Sequence, residues 1–322
     1  MVNLIHMKQL GFVAVLVFGG LFFGSCEKEG SMPPINDSID LDGKLINDSS
    51  LAFPELFLLS AKKSTPSAND LQTPVYILVH GFSASTFEWS EFRDFAKNDG
   101  RFYTSQVLLG AHGRDYLDFR SANWHQWQQP ILDEYQKLVS LGYQNIHFAA
   151  SSTGCPLLLD ALHHGKIVPQ NKMNIVFIDP VVIPTTKTLS LIPVIGPALD
   201  YVETPMEKGE DGFWYKYRPY QALEQLNDVT KTVRGELEDG ITLPKNVQLQ
   251  VYKSIEDGTA DPMSAVLLKK GVKLQDGSSV NVNMLLSELH VFTRLRARNK
   301  ISNADVQNQL QVFNEMKSQI LP

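Results

Sequence analysis

The chain has 322 residues, 43% of them hydrophobic and 20% charged, with a formal net charge of −6. That is ordinary globular composition, with enough apolar material for a sizeable core and too much for a disordered chain. Lys and Arg form no basic stripe, so nucleic acid is not an expected partner.

The first 26 residues read as an export signal. Lys8 precedes an apolar run from Leu10 to Phe23, then Gly24, Ser25 and Cys26, then the charged Glu27-Lys28-Glu29. A basic start, a short apolar centre and small residues before a break describe a signal peptide. The run is shorter than the roughly 20 apolar residues that span a bilayer comfortably. Cys26 after Gly-Ser resembles the lipid-attachment cysteine of bacterial lipoproteins, with Phe23 where that motif usually has Leu. The expectation is an exported protein, lipid-anchored through Cys26 to the periplasmic side of a membrane or to the cell surface. An uncleaved anchor helix is the alternative, and Met7 could be the true start. Residues 27 to about 50, rich in Gly, Ser, Pro, Asn and Asp, read as a tether.

From residue 51 apolar runs of strand length alternate with helical periods. Val75 to Val79 ends in His80-Gly81, and Ser105 to Leu109 ends in Gly110-Ala111-His112-Gly113. Trp124, Trp127, Ile131, Tyr135 and Leu138 recur at helical spacing, predicting a helix over 124–141 in which Pro130 marks a kink or the first turn. Asn145 to Ala150 is a third strand, running into Ser-Ser-Thr-Gly and the helix Pro156 to Leu162. Asn174 to Ile178, Val247 to Lys253 and Val280 to Leu286 complete six strands. A last helix is expected with Val306, Leu310, Phe313 and Met316 on one face. Residues 181 to about 243 interrupt this rhythm and read as a small inserted cap. It holds an apolar stretch (Leu189 to Leu199, broken by Pro193, Gly196 and Pro197), an aromatic cluster from Phe213 to Tyr220, and a helix from Pro219 to Leu237. The alternation predicts an α/β fold: a mostly parallel central sheet flanked by helices. Ligands of such sheets sit beyond the carboxyl ends of the strands.

Ala150-Ser151-Ser152-Thr153-Gly154, between a strand and a helix, carries the strongest chemical signal. A nucleophile on a strand-to-helix elbow needs small residues two before and two after it, as in G-x-S-x-G. Centred on Ser152 those residues are Ala150 and Gly154; centred on Ser151 they are Ala149 and Thr153, a poorer fit. A hydroxyl-rich helix cap is the plain structural alternative. Acyl transfer also needs donors for an oxyanion. The amide after the nucleophile, Thr153, and that of Phe82, after His80-Gly81, are the candidates. His290, after the last strand, is the candidate base. Asp257 is the preferred acid, with Asp261, Glu256 and Asp179 as alternatives. Cys155 reads as a small buried hydrophobe.

Together these segments resemble the carboxylesterase and monoacylglycerol-lipase-like branch of the α/β-hydrolases over about residues 74 to 320. The likeness rests on Val79-His80-Gly81-Phe82, the Gly110 to Gly113 loop, Trp124 and Trp127, the Ser152 elbow, Glu256-Asp257 through Asp261-Pro262 with Ser264-Ala265, and His290-Val291 with Thr293; Ala150 is the clearest departure. The resemblance implies a serine esterase or lipase acting on a small-molecule or lipid ester. It implies Ser152 as nucleophile, His290 as base, Asp257 as its orienting acid, oxyanion donors at Phe82 and Thr153, and no metal or organic cofactor. An amidase or thioesterase on the same fold, or a non-catalytic binding protein, are the alternatives.

Overall fold

The computed structural model describes residues 48–185, 200–207, 209–210 and 212–321. The expected signal, Cys26, most of the tether and the apolar stretch Leu189 to Leu199 lie outside these residues. No described helix is long and apolar enough to cross a membrane.

Six strands form one sheet: β1 (Val75–Val79), β2 (Tyr103–Val107), β3 (Ile146–Ser151), β4 (Met173–Ile178), β5 (Val247–Ser254) and β6 (Asn281–Leu285). Their spatial order is β6-β5-β4-β3-β1-β2, and every pairing is parallel. β1, β3 and β4 are buried along their whole length. This is why they read as unbroken apolar runs: helices cover both faces, so neither side of the strand needs to be polar.

Alternation along each strand divides the core. Tyr76 and Leu78 of β1, Ala149 of β3, Val176 and Ile178 of β4 and Tyr252 of β5 share one cluster. Trp89, Phe92 and Ala96 join it from the start and body of α1 (Ser90–Asp99), and Val312, Phe313 and Met316 from α6 (Asn303–Ile320). Each fully buried side chain of this size contributes about 1.5–3 kcal/mol. On the opposite face Phe148 of β3 meets Tyr135 of α2 (Trp124–Leu141), ring centroids 5.9 Å apart. There α2 packs on α3 (Gly154–His163), and α3 on α4 (Tyr220–Asp239), which also packs on α5 (Met263–Gly271).

The face of α6 differs from the expected one. Val312, Phe313 and Met316 are buried, whereas Val306 and Leu310 are 48% and 56% exposed. The helix begins at an Asn303 capped by Ser302 and Asp305, and its first half runs past the edge of the core before its second half meets it. Asp48 is buried as well, capping the short helix Ser49–Ala52, so the last residues assigned to the tether already pack on the domain.

Two local features bear on the site. Pro130 lies inside α2, where it has no N–H to offer the carbonyl of Gln126. Gly110 occupies the space beside that carbonyl: a Cβ at 110 would lie 2.0 Å from Gln126 O, and the Gly110 amide donates to Trp127 O at 3.3 Å. The 110–113 loop is thereby seated on α2, and its buried His112 packs edge-on to Phe82, Phe119 and Trp127. The second half of the expected cap is α4, packed along the other helices. Ahead of it an antiparallel ribbon pairs Tyr201–Glu203 with Tyr217–Pro219.

Candidate active site

The carboxyl ends of β1, β3, β4 and β5 deliver the candidate residues to one place. β3 ends at Ser151, and Ser152 follows with φ = +51°, before α3 begins at Gly154. A non-glycine residue in this left-handed region costs on the order of 1–3 kcal/mol, a strain that clusters at functional sites. Packing requires the small neighbours. A Cβ on Gly154 would lie 2.7 Å from His80 O and 2.9 Å from Val79 O; one on Gly81 would lie 2.7 Å from the Ser152 Cβ. Ala150 is wholly buried, and its methyl is accommodated within the β3 packing.

The two serines of the elbow have separate surroundings. Ser151 Oγ donates to the Glu88 carboxylate and to Val79 O at 3.3 Å. Ser152 Oγ lies 2.8 Å from His290 Nε2. His290 Nδ1 lies 2.8 Å from Asp257 Oδ2, and Asp257 Oδ1 accepts from the amides of Thr259 (2.7 Å) and Ala260 (3.1 Å). With Nδ1–H donated to the carboxylate, Nε2 is left as an acceptor facing the serine hydroxyl. Two of the other carboxylates considered from sequence are elsewhere. Glu256 is exposed, and Asp261, in the turn ahead of α5, accepts from the Met263 amide at 2.8 Å.

Asp179, at the end of β4 with φ = +46°, lies beside Asp257, and a buried lysine joins them. Lys253, the penultimate residue of β5, places Nζ 2.5 Å from Asp257 Oδ2 and 3.3 Å from Asp179 Oδ1; all three side chains are without solvent access. Asp179 also accepts from the amides of Ser254 (2.7 Å) and Phe292 (3.3 Å). Burial raises the Asp257 pKa, but the charges and hydrogen bonds of His290 and Lys253 outweigh it and bring the carboxyl to about 2. Asp179 moves the other way: burial raises its pKa most, and the attraction of Lys253, although stronger than the repulsion of Asp257, does not offset burial. Of the two carboxyls sharing one ammonium, Asp257 is the one held ionised, and it is the one on His290. The cluster of Asp179, Asp257 and His290 has donor atoms close enough for a cation, but the Lys253 ammonium already fills that role.

Removing one partner of a buried ion cluster leaves uncompensated charge, at a cost of about 3–5 kcal/mol. Lys253→Met should lower unfolding stability by that amount at neutral pH, read from the denaturant midpoint. The deficit should narrow on acidification, because a proton on Asp179 then substitutes for the ammonium. An unchanged midpoint would show that Lys253 does not balance these carboxylates.

The amides of Phe82 and Thr153 have no hydrogen-bond partner among the described residues. Glu88 ties the first of these loops to the elbow, accepting from the Gly81 amide at 2.8 Å and from Ser151 Oγ. His80 is fully buried; its ring bridges Gly81 O (2.8 Å) and the Leu109 amide (3.0 Å). A cavity of about 250 Å³ opens over Ser152, Phe82, Thr153 and His290, walled by Val181, Leu226, Met206 and Trp214 and by the arginines 218, 294 and 298.

Sequence reasoning missed Glu88, Lys253 and Arg218. Lys253 left a trace: a cation closing a strand whose end is otherwise buried, four residues before Asp257. Arg218 left another, as a cation inside the aromatic cluster Phe213 to Tyr220.

The sheet order, the strand-end site and the covering helices define an α/β-hydrolase fold. No protein-family model matches the chain, and no curated protein sequence does. Solved structures do. A structure reported with LipS and LipT, two metagenome-derived lipolytic enzymes, is similar at 14% identity and TM-score 0.59, over 77% of this chain and 94% of that one. A soluble variant of the monoglyceride lipase of Saccharomyces cerevisiae, in complex with a substrate analog, is similar at 12% identity and TM-score 0.61, over 77% and 86%. The monoacylglycerol lipase of Paleococcus ferrophilus is similar at 12% identity and TM-score 0.56, over 77% and 96%.

Proposed function

We propose that the protein is a serine hydrolase that cleaves carboxylic esters through an acyl-enzyme. The observation that carries this reading is the continuous hydrogen-bonded series Asp257–His290–Ser152, ending in a serine on a strained elbow beside two amides without a partner among the described residues. Ser152 Oγ attacks the acyl carbon while His290 Nε2 takes its proton. The carbonyl electrons move onto oxygen, which accepts from the Phe82 and Thr153 amides. As the tetrahedral intermediate collapses, the C–O bond to the alcohol breaks and His290 returns the proton to the leaving oxygen. Water, deprotonated by His290, then attacks the acyl-Ser152 ester; the bond to Ser152 Oγ breaks, His290 returns the proton to that oxygen, and the carboxylic acid is released. Asp257 keeps the imidazole in the tautomer that both halves need. The lipases and lipolytic enzymes among the similar structures act on esters, in keeping with this assignment.

A fluorophosphonate probe should label the wild-type protein at Ser152, and matched ester, thioester and amide substrates should rank the ester first. Absence of labelling would reject the serine-hydrolase reading; a faster amide or thioester would move the bond class.

The same proposal places the domain on a bacterial membrane through lipidated Cys26, from the apolar run ending in Gly24-Ser25-Cys26. Cys26→Ser should move the domain to the soluble fraction with its hydrolytic activity intact. Mass spectrometry of the mature protein should find lipid on Cys26; an unmodified, uncleaved N-terminus would reject the anchor.

A further inference from the structure

Three arginines line the cavity above Ser152, and two of them are engaged. Arg294 Nη2 pairs with Glu210 Oε1 at 2.5 Å, its Nη1 donates to Arg296 O, and its guanidinium lies 4.4 Å from the Trp214 ring centroid. Arg298 pairs with Glu207 at 3.2 Å and donates to the carbonyls of His290 and Arg294. Both brace the loop that carries His290.

Arg218 is different. It sits on the Tyr217–Pro219 strand of the ribbon, opposite Val202, and its guanidinium lies over the Phe82 ring with Cζ 5.8 Å from the centroid. Among the described residues its guanidinium has no ion pair and no hydrogen bond; Nε is shut off from solvent without a partner, while the residue as a whole is half-buried. Burial lowers its pKa to about 10, so it remains a cation at neutral pH. Glu210 acts on it through space but makes no ion pair with it, and a partly desolvated guanidinium without a contacting carboxylate is costly. A partner supplied by the bound substrate removes that cost, and the planar fork of arginine suits a carboxylate in two-point contact.

We infer that Arg218 binds a carboxylate carried by the substrate, so that the preferred substrates are small monoanionic esters, such as half-esters of dicarboxylic acids. This rests on the ester-hydrolase reading for the bond that is cleaved. Charge favours a monoanion over a dianion: among the described residues one guanidinium without an ion pair lines the cavity, and Glu88 and Glu210 lie on its wall. Size agrees, since about 250 Å³ falls just below the usual range for ligand sites, about 300–1,000 Å³.

The test separates binding from turnover. Calorimetry on Ser152→Ala should show monomethyl glutarate binding about 10- to 100-fold more tightly than dimethyl glutarate, the range for hydrogen bonds to a charged group. Adding Arg218→Met should abolish that difference, while Arg218→Lys, which keeps the charge and loses the fork, should retain part of it. Thermal melting checks that each variant is folded. On the wild-type protein, kcat/KM should likewise favour a carboxylate-bearing ester over its neutral methyl ester, in a series varied on the acyl side, on the alcohol side, or both. Equal binding of half-ester and diester by Ser152→Ala, or a preference that survives Arg218→Met, overturns the inference and leaves Arg218 as packing on Phe82. Ser152-dependent hydrolysis of neutral esters without preference for the anion would sink the inference alone. Selective anion binding with no ester turned over would instead sink the hydrolase reading and keep the site.

Discussion

Ser152→Ala is expected to remove turnover almost completely, by about a million-fold in kcat, the scale of loss when the nucleophile of a serine triad is deleted. Ser151→Ala is expected to leave most of the activity. The two hydroxyls are adjacent in sequence but have different partners: Ser152 Oγ faces His290 Nε2 at 2.8 Å, while Ser151 Oγ is bound to Glu88 and Val79 O. Losing the Ser152 hydroxyl removes the atom that bonds to the acyl carbon, and no other described hydroxyl has the imidazole as partner. Ser151→Ala removes one of two hydrogen bonds shown to Glu88 Oε1, whose other donor is the Gly81 amide. It should therefore cost stability first, about 1–3 kcal/mol for a disturbed buried hydrogen bond. Burst kinetics with a chromogenic ester, alongside thermal melting of each variant, separate the two effects. Activity that survives Ser152→Ala and vanishes with Ser151→Ala would reverse the assignment.

Asp257→Asn is expected to lower kcat by about ten-thousand-fold, with a smaller effect on KM. The loss comes from the tautomer. The amide can turn its NH₂ toward Nδ1, which then becomes the acceptor and leaves the proton on Nε2, where it blocks transfer from Ser152. Asp179→Asn is expected to change kcat/KM by no more than about tenfold, about 1.4 kcal/mol, because Asp179 bonds to Lys253 and to the Ser254 and Phe292 amides. The pH profile offers a second check. With its carboxyl at about 2, Asp257 stays ionised through the range in which the protein can be assayed. The Asp257→Asn deficit in kcat should therefore persist across that whole range, and a deficit that closed on mild acidification would show that the Asp257 carboxylate is not what orients the imidazole. A large loss from Asp179→Asn with Asp257→Asn indifferent would move the acid to the end of β4.

Local sequence determined the strands, most of the helices and the elbow. β1, β3 and β4 are read correctly because a strand covered on both faces must be apolar throughout, a signal that survives without tertiary information. The 124–141 helix is equally legible, since one face of it is buried at every turn. The elbow shows because Gly154 is excluded from carrying a Cβ by the backbone of β1 and its following loop, a constraint written directly into residue type.

Only the tertiary structure decided which charged groups meet. Asp179, Glu256, Asp257 and Asp261 all stand at or after strand ends. Which of them reaches His290 depends on the parallel pairing of β4 with β5 and on a turn whose Thr259 and Ala260 amides hold one carboxylate in place. Lys253 and Glu88 escaped notice because each takes its role from a partner distant in sequence: Asp179 at the end of the neighbouring strand for Lys253, and Ser151 of the elbow for Glu88. The buried face of α6 was likewise set by where the helix crosses the core, not by its own period. Arg218 is the extreme case. Its lack of a described partner is a property of the fold around it, since a guanidinium in a sequence carries no record of whether a carboxylate will come within reach.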